Sequence, residues 1–426
     1  MAGVAALVAL VACSGSDRRP ADRDNASTPG GALDAAFGAG GTAIFGAGSN
    51  DTVHALLGTK TDATLAIGSS RVGDRTGLLL MRVGADGTLD ASFGTGGRTV
   101  SPIGAGAAEA LAAGYAPDGK IVVAGSAVGP DGRDADIALA RYSSDGTLDP
   151  TFGRGGVAVH KASAGPDAAF ALAFDRAGRI VVAGQCGRAT QRENTRGTAC
   201  VIRVSPNGEA DTAFGPNGAR LLPLRDGVES LRGVAVDARG RIVAAGYSAY
   251  GTANEMTLFR LTDSGGLDDD FGDLGSVTYR GRGFSDAFAL SLVDDGILVA
   301  GFSGLADGSG KDFLLARFSE SGRLDARFGD GGVTTTAIGP GDDVAFGLAV
   351  GDRGIVLAGY AFNGTENEMA VARYTRTGKP DGSLTFPQQG AGVARGVVLA
   401  DAAITAAGEV KNGDARSAML ARVLLP

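Results

Sequence analysis

Short apolar runs alternate with polar, glycine-rich turns along this chain, and the runs recur in three fixed forms. One ends in glycine: LAIG to Gly68, IVVAG to Gly125 and Gly184, IVAAG to Gly246, ILVAG to Gly301, IVLAG to Gly359 and ITAAG to Gly408. A second closes on arginine, at Arg82, Arg141, Arg203, Arg260, Arg317, Arg373 and Arg422. The third is a hexad, Leu-Asp-x-x-Phe-Gly, beginning at Leu33, Leu89, Leu148, Leu267 and Leu324, altered at Ala210 and eroded at Pro380. Successive hexads lie 56 to 62 residues apart. Each unit holds four strand-sized pieces; in the sixth they are 332–338, 344–350, 355–360 and 368–374. Apolar runs of this length, rich in β-branched residues and bounded by glycine turns such as Pro117-Asp118-Gly119, predict strands joined as hairpins.

Four antiparallel strands repeating at this period fit a propeller blade better than a solenoid turn of 20–30 residues. The expected fold is therefore all-β: a seven-bladed β-propeller of four-stranded antiparallel blades over residues 33–426. Register predicts how the ring closes. Each arginine precedes the next hexad aspartate by eight residues, pairing Arg82 with Asp90, Arg141 with Asp149, Arg203 with Asp211, Arg260 with Asp268, Arg317 with Asp325 and Arg373 with Asp381. Asp34 has no arginine before it and Arg422 no aspartate after it, so a closed ring would set them side by side. If the blade boundary cuts across the sequence unit, the closing blade mixes both termini.

The LDxxFGxxG hexad, the DGKIVVAG run and the LARY-DG-LD segment together resemble the delta-60 repeat, a β-propeller domain of unknown function, from Leu33 to the C-terminus. The resemblance implies secreted or surface bacterial proteins and no assigned activity.

Composition refines this picture. Glycine is 71 of 426 residues, as a fold with many tight turns requires, and the net charge is −8. An acidic chain with scattered arginines lacks the basic footprint of a nucleic-acid binder. Two histidines exclude a histidine-rich metal site, no G-x-G-x-x-G lies between a strand and a helix, and no metal or cofactor is expected. Residues 1–12, MAGVAALVALVA, are too short to cross a bilayer as a helix and read as a signal peptide. The segment Leu10-Val11-Ala12-Cys13 resembles a bacterial lipobox, with Cys13 lipidated and residues 13–32 as anchor and polar tether. A monomer at the outer membrane or cell surface is expected, with periplasmic or secreted forms as alternatives and membrane attachment only through the lipid.

Acidic residues precede the second strand of most units: Asp51, Glu109, Asp167, Glu229, Asp286 and Asp343. They share one face of the disc with the variable loops 126–135, 185–198, 247–254, 302–311 and 360–367. Tyr247, Tyr250, Asn254 and Glu255 recur in kind as Tyr360, Phe362, Asn367 and Glu368, an aromatic and amide surface suited to a protein or glycan ligand. Variation on one face of a regular scaffold marks recognition. Seven-fold repetition of the arginine–aspartate pairs argues for structure. No unit stands out from its siblings, and the chain reads as a binding scaffold, not an enzyme, with an envelope polysaccharide hydrolase or lyase using carboxylates on that face as the alternative. Cys186 and Cys200 lie in adjoining strands and are expected to form a disulfide in an exported protein.

Overall fold

A computed structural model describes residues 31–425 apart from 47–48, 130–131, 133, 188–196, 223–228, 251–252, 282, 295, 305–309 and 387. The leader, Cys13 and most of the tether lie outside the described residues, as do parts of the variable loops. Seven antiparallel sheets follow one another along the chain. Blade 1 runs from its inner strand Thr52–Gly58 through Thr64–Val72 and Arg75–Val83 to its outer strand Arg98–Ser101. Blades 2 to 6 repeat this order, with inner strands Ala108–Tyr115, Asp167–Phe174, Glu229–Val236, Ser285–Val293 and Asp343–Gly351. Blade 7 takes three strands from the C-terminus, Ala391–Leu399, Ala403–Asn412 and Ala415–Leu424, and its outer strand Thr42–Phe45 from the N-terminus. Each inner strand packs beside the next, and the seventh beside the first.

The sequence unit and the blade are therefore out of phase by one strand. The hexad does not separate blades. It joins the third strand of a blade to the outer strand of the same blade, so the first and last copies must cooperate to finish blade 7. Asp34 N–H donates to the Arg422 carbonyl at 3.0 Å, and the Arg422 and Asp34 side chains meet at 3.4 Å.

Hydrophobic burial is organised between blades. Each of seven core clusters draws residues from two neighbouring blades, including one that joins Ala407, Ala418 and Leu420 of blade 7 to Val53, Ala66 and Met81 of blade 1. The hexad phenylalanines Phe37, Phe93, Phe152, Phe214, Phe271 and Phe328 are buried. The preceding arginine lies over several of these rings, at 4.6 Å for Arg203 on Phe214 and 4.8 Å for Arg141 on Phe152.

Arg82, Arg141, Arg203, Arg260 and Arg422 are inter-blade struts, each donating to a backbone carbonyl of the next blade. In blade 2, Arg141 Nε donates to Asp149 at 2.8 Å, Nη2 to Thr151 at 3.0 Å, and Nη1 to the Pro206 carbonyl of blade 3 at 2.5 Å. The same carboxylate contacts hold Arg82 to Asp90, Arg203 to Asp211, Arg260 to Asp268 and Arg373 to Asp381 at 2.7–2.8 Å, while Arg317 and Asp325 stand at 3.5 Å. Arg141 is 6% exposed; removing it leaves Asp149 held by Lys120 at 2.8 Å and by Thr151, but takes the donor from the Pro206 carbonyl. Arg141→Met should lower the unfolding free energy by about 1–3 kcal/mol, measured by urea denaturation; an unchanged midpoint would dismiss the strut.

Cys186 and Cys200 form a disulfide between the second and third strands of blade 3, with Cα atoms 5.9 Å apart. It closes the longest hairpin of that face. Replacing both cysteines by serine should cost roughly 3 kcal/mol, the chain-entropy value for a loop of this size. Reductant should then lower the midpoint of the native chain and leave the double variant unmoved.

Candidate functional site at the mouth of the central channel

Each inner strand breaks its register with the second strand at the same point, a β-bulge that leaves one residue unpaired. The bulged residues are His54, Leu111, Phe170, Arg232, Phe288, Phe346 and Arg395. Bulges re-aim side chains, and these seven are partly exposed while the residue just before each is buried. Several meet across neighbouring inner strands, Arg232 with Phe170, Phe288 with Phe346 and Phe346 with Arg395, as residues beside the central channel do.

The bulge explains the glycine that ends every second-strand run. A Cβ on Gly68, Gly125, Gly184, Gly246, Gly301, Gly359 or Gly408 would overlap the inner-strand carbonyl two residues before the bulge, Asp286 in the case of Gly301. These glycines are extended, so the demand is for space and not for a left-handed backbone.

Everything around the bulge is regular, but the bulged residue itself is not. Arg232 lies over the Phe170 ring at 3.8 Å, and Arg395 over Phe346 at 5.1 Å. Phe288 and Phe346 stand 4.8 Å apart between centroids. Tyr360 extends the arc at 6.1 Å from Phe346, and Phe302 lies 6.0 Å from Phe288. The Arg232 and Arg395 Nε atoms are buried without a hydrogen-bond partner among the described residues. His54 is pushed down to about 3 by burial and then by Arg395 and Arg416, so it is neutral at pH 7.

The acidic residues divide between two registers. Asp51, Asp167, Glu229 and Asp343 lie three residues before the bulge and are buried. They are structural where their partners are visible: Asp167 accepts the Ala162 and Ser163 backbone N–H groups at 2.8 and 3.0 Å, and Asp343 those of Ile338 and Gly339 at 2.6 and 3.0 Å. Burial still raises Asp343 to about 6. Glu109 and Asp286 sit one residue nearer the bulge and so point the other way. Burial raises both, Asp286 to about 6 against the pull of Asn254, Arg232 and Lys311. Asp286 takes a 3.3 Å hydrogen bond from Asn254 on one oxygen; the other, Oδ1, is buried without a partner among the described residues.

The remaining sequence candidates scatter. Tyr247 adjoins Arg232, and Tyr360 is raised to about 12 by burial, then by Asp342 and Asp343. Glu255 is buried in an ion pair with Arg280. Glu368 accepts from Asn363 at 2.8 Å, Asn367 pairs with Phe362 at the hairpin end, and Phe362 packs on the Gly339–Gly341 turn. The Tyr250 side chain lies outside the described residues. The structure thus brings Tyr247, Tyr360, Asn254 and Asp286 to the channel mouth and leaves Glu255 and Glu368 in local contacts. Sequence reading missed the bulged ring, Arg232 and Arg395 above all. The signal was there, because one position of an otherwise Ala- and Gly-rich strand changes from His to Leu, Phe and Arg.

Residues 64–93 and 116–152, each ending on a hexad phenylalanine, match a family model described as a domain of unknown function (DUF5122) beta-propeller. The match supports a β-propeller domain of unknown function. No curated protein matches the chain significantly. Among solved structures, the chain is similar to the polysaccharide lyase Uly1 at 12% identity and TM-score 0.47, covering 91% of this chain and 93% of that one. It is also similar to the Trypanosoma rangeli sialidase in complex with 2,3-difluorosialic acid, at 9% identity and TM-score 0.42, where 90% of this chain spans 56% of that one. A third match is Sqt1 from Chaetomium thermophilum, at 13% identity and TM-score 0.40, covering 86% and 81%. These are likenesses of fold. They correct the expectation that the chain is not an enzyme: propellers aligning over nine-tenths of it include a polysaccharide lyase and sialidases.

Proposed function

We propose that this chain cleaves a polysaccharide at the mouth of its central channel. The observation that carries the reading is Asp286: a carboxyl with one buried oxygen that has no partner among the described residues, raised to about 6, beside the aromatic arc of Phe302, Phe288, Phe346 and Tyr360. A carboxyl poised near its working pH is suited to general acid–base work, and aromatic faces are suited to sugar rings. In a hydrolysis, the Asp286 proton passes to the glycosidic oxygen as its bond to the anomeric carbon breaks. A water then gives hydroxide to that carbon and its proton to the carboxylate, so one water is consumed. Finer features of the proposal are membership of the delta-60 repeat proteins and attachment to the bacterial envelope through a lipid on Cys13, which would present the disc to envelope or environmental glycans.

The test is incubation with a panel of neutral, uronate-containing and sialylated polysaccharides, following new reducing ends. Cleavage that Asp286→Asn abolishes supports the proposal. A folded protein that cleaves no member, or a variant that cleaves as well as the parent, overturns it.

A further inference from the structure

The bulged ring holds two guanidinium groups whose chemistry the cleavage step does not use. They sit on blades 4 and 7, three steps apart in a ring of seven, and therefore nearly opposite each other across the channel. Each lies over a phenylalanine ring supplied by the preceding blade, Phe170 for Arg232 and Phe346 for Arg395. That stacking fixes the guanidinium plane, and Arg232 spends part of its donor edge on a hydrogen bond to Tyr247. The Nε of each is buried without a hydrogen-bond partner among the described residues, and a buried unmade donor costs free energy that a ligand can recover. Glu409 stands 3.6 Å from Arg395 and is also held by Arg416 at 3.0 Å. After Tyr247, the group that acts on Arg232 is the Asp286 carboxyl, whose Oδ1 is buried without a partner among the described residues. The two cations are near enough for Arg395 to disfavour the charge on Arg232, a repulsion that an anion between them would relieve.

Resting on the reading that a glycan enters this mouth, we infer that the sugar carries a carboxylate and that Arg232 and Arg395 hold it from opposite sides of the channel. A planar carboxylate matches the guanidinium fork bidentately, which selects an acidic sugar over a neutral one of the same shape. Arg232 and Arg395 are thus binding and specificity residues, and Asp286 acts on the bond beside the sugar they fix.

The experiment measures binding by calorimetry to uronate oligosaccharides, to the same oligosaccharides with each carboxyl reduced to an alcohol, and to sulfated neutral oligosaccharides. Cleavage is followed in parallel. The expected result is binding of the uronates alone, weakened by salt, with Arg232→Met and Arg395→Met each costing about 10- to 100-fold in affinity. Arg232→Lys, which keeps charge and loses the fork, should recover only part. Thermal midpoints report whether each variant folds; should a methionine variant fail, the lysine variant and the carboxyl-reduced ligands decide alone. Equal binding of reduced and native ligands, preference for sulfate, no binding, or wild-type affinity in folded variants would overturn the inference. Uronate binding without cleavage would uphold it while removing the catalytic reading, and cleavage of neutral glycans indifferent to both arginines would do the reverse.

Discussion

Gly301→Ala is expected to unfold blade 5. The methyl group has no free volume to enter, because the bulge before Phe288 drives the Asp286 carbonyl onto the Gly301 Cα. Relief would require moving backbone in two paired strands, beyond the side-chain repacking that limits ordinary overpacking to about 1–3 kcal/mol. Alanine's entropic advantage in the unfolded chain, about 0.4–1 kcal/mol, acts in the opposite direction and is too small to compensate. A loss of at least about 4 kcal/mol follows, read as a collapse of the urea midpoint or of soluble yield. Gly266→Ala is the control. A Cβ there meets only Thr262 Oγ1 at 3.7 Å, and the variant should stay within about 0.5 kcal/mol of the parent. If Gly301→Ala is equally mild, the steric account of the repeated glycine is wrong.

Asp286→Asn should lose cleavage and gain stability. Burial pushes its carboxyl up from the ordinary aspartate range to about 6, so the folded state holds its proton more tightly than the unfolded chain does. Stability from this group is therefore greatest below about pH 4 and falls as pH rises through about 6, where the buried charge must form. The buried charge costs about 3 kcal/mol on this basis. Asparagine carries no charge to bury, so the variant should be more stable than the parent by about 1–3 kcal/mol at pH 8 and roughly equal at pH 4. Asp343 is raised in the same way, so the pH slope should shrink without vanishing. Asp149, lowered by Lys120, Thr151 and Arg141, acts in the opposite sense and only below about pH 4. Cleavage should fall at least about 100-fold, the usual contribution of a positioned acid. A variant that loses both activity and stability would mean Asp286 is a structural carboxyl.

The frame was legible because it is written in residues that each do one thing. The hexad aspartate and the arginine eight residues earlier meet across a single turn, a local relation that spacing exposes directly. Closure through Asp34 and Arg422 followed from the same count. The phase of the blade was not legible: strands of equal length and composition flank the hexad on both sides, and only tertiary pairing says which belongs to which blade. The site was harder still. Strand alternation is exact only while pairing is regular, and the bulge breaks it at the residue that matters. Counted by simple alternation, Phe170, Phe288 and Phe346 look like further core positions, and Asp286 looks like a sibling of Asp343, although one residue of register sets them on opposite faces. Glu255 was placed with the binding surface because nothing in the sequence pairs it with Arg280, 25 residues away in the next connection.

Blade 7 joins Thr42–Phe45 to Ala418–Ala421, so a strand made before the six complete sheets is among the last to find its partner. Throughout elongation an edge of four residues waits with its amides unmet, while six later sheets can complete themselves from contiguous sequence. Maturation should then end in one late docking event that waits for Ala415–Leu424. A molecule lacking that strand would carry six finished sheets and a ring still open.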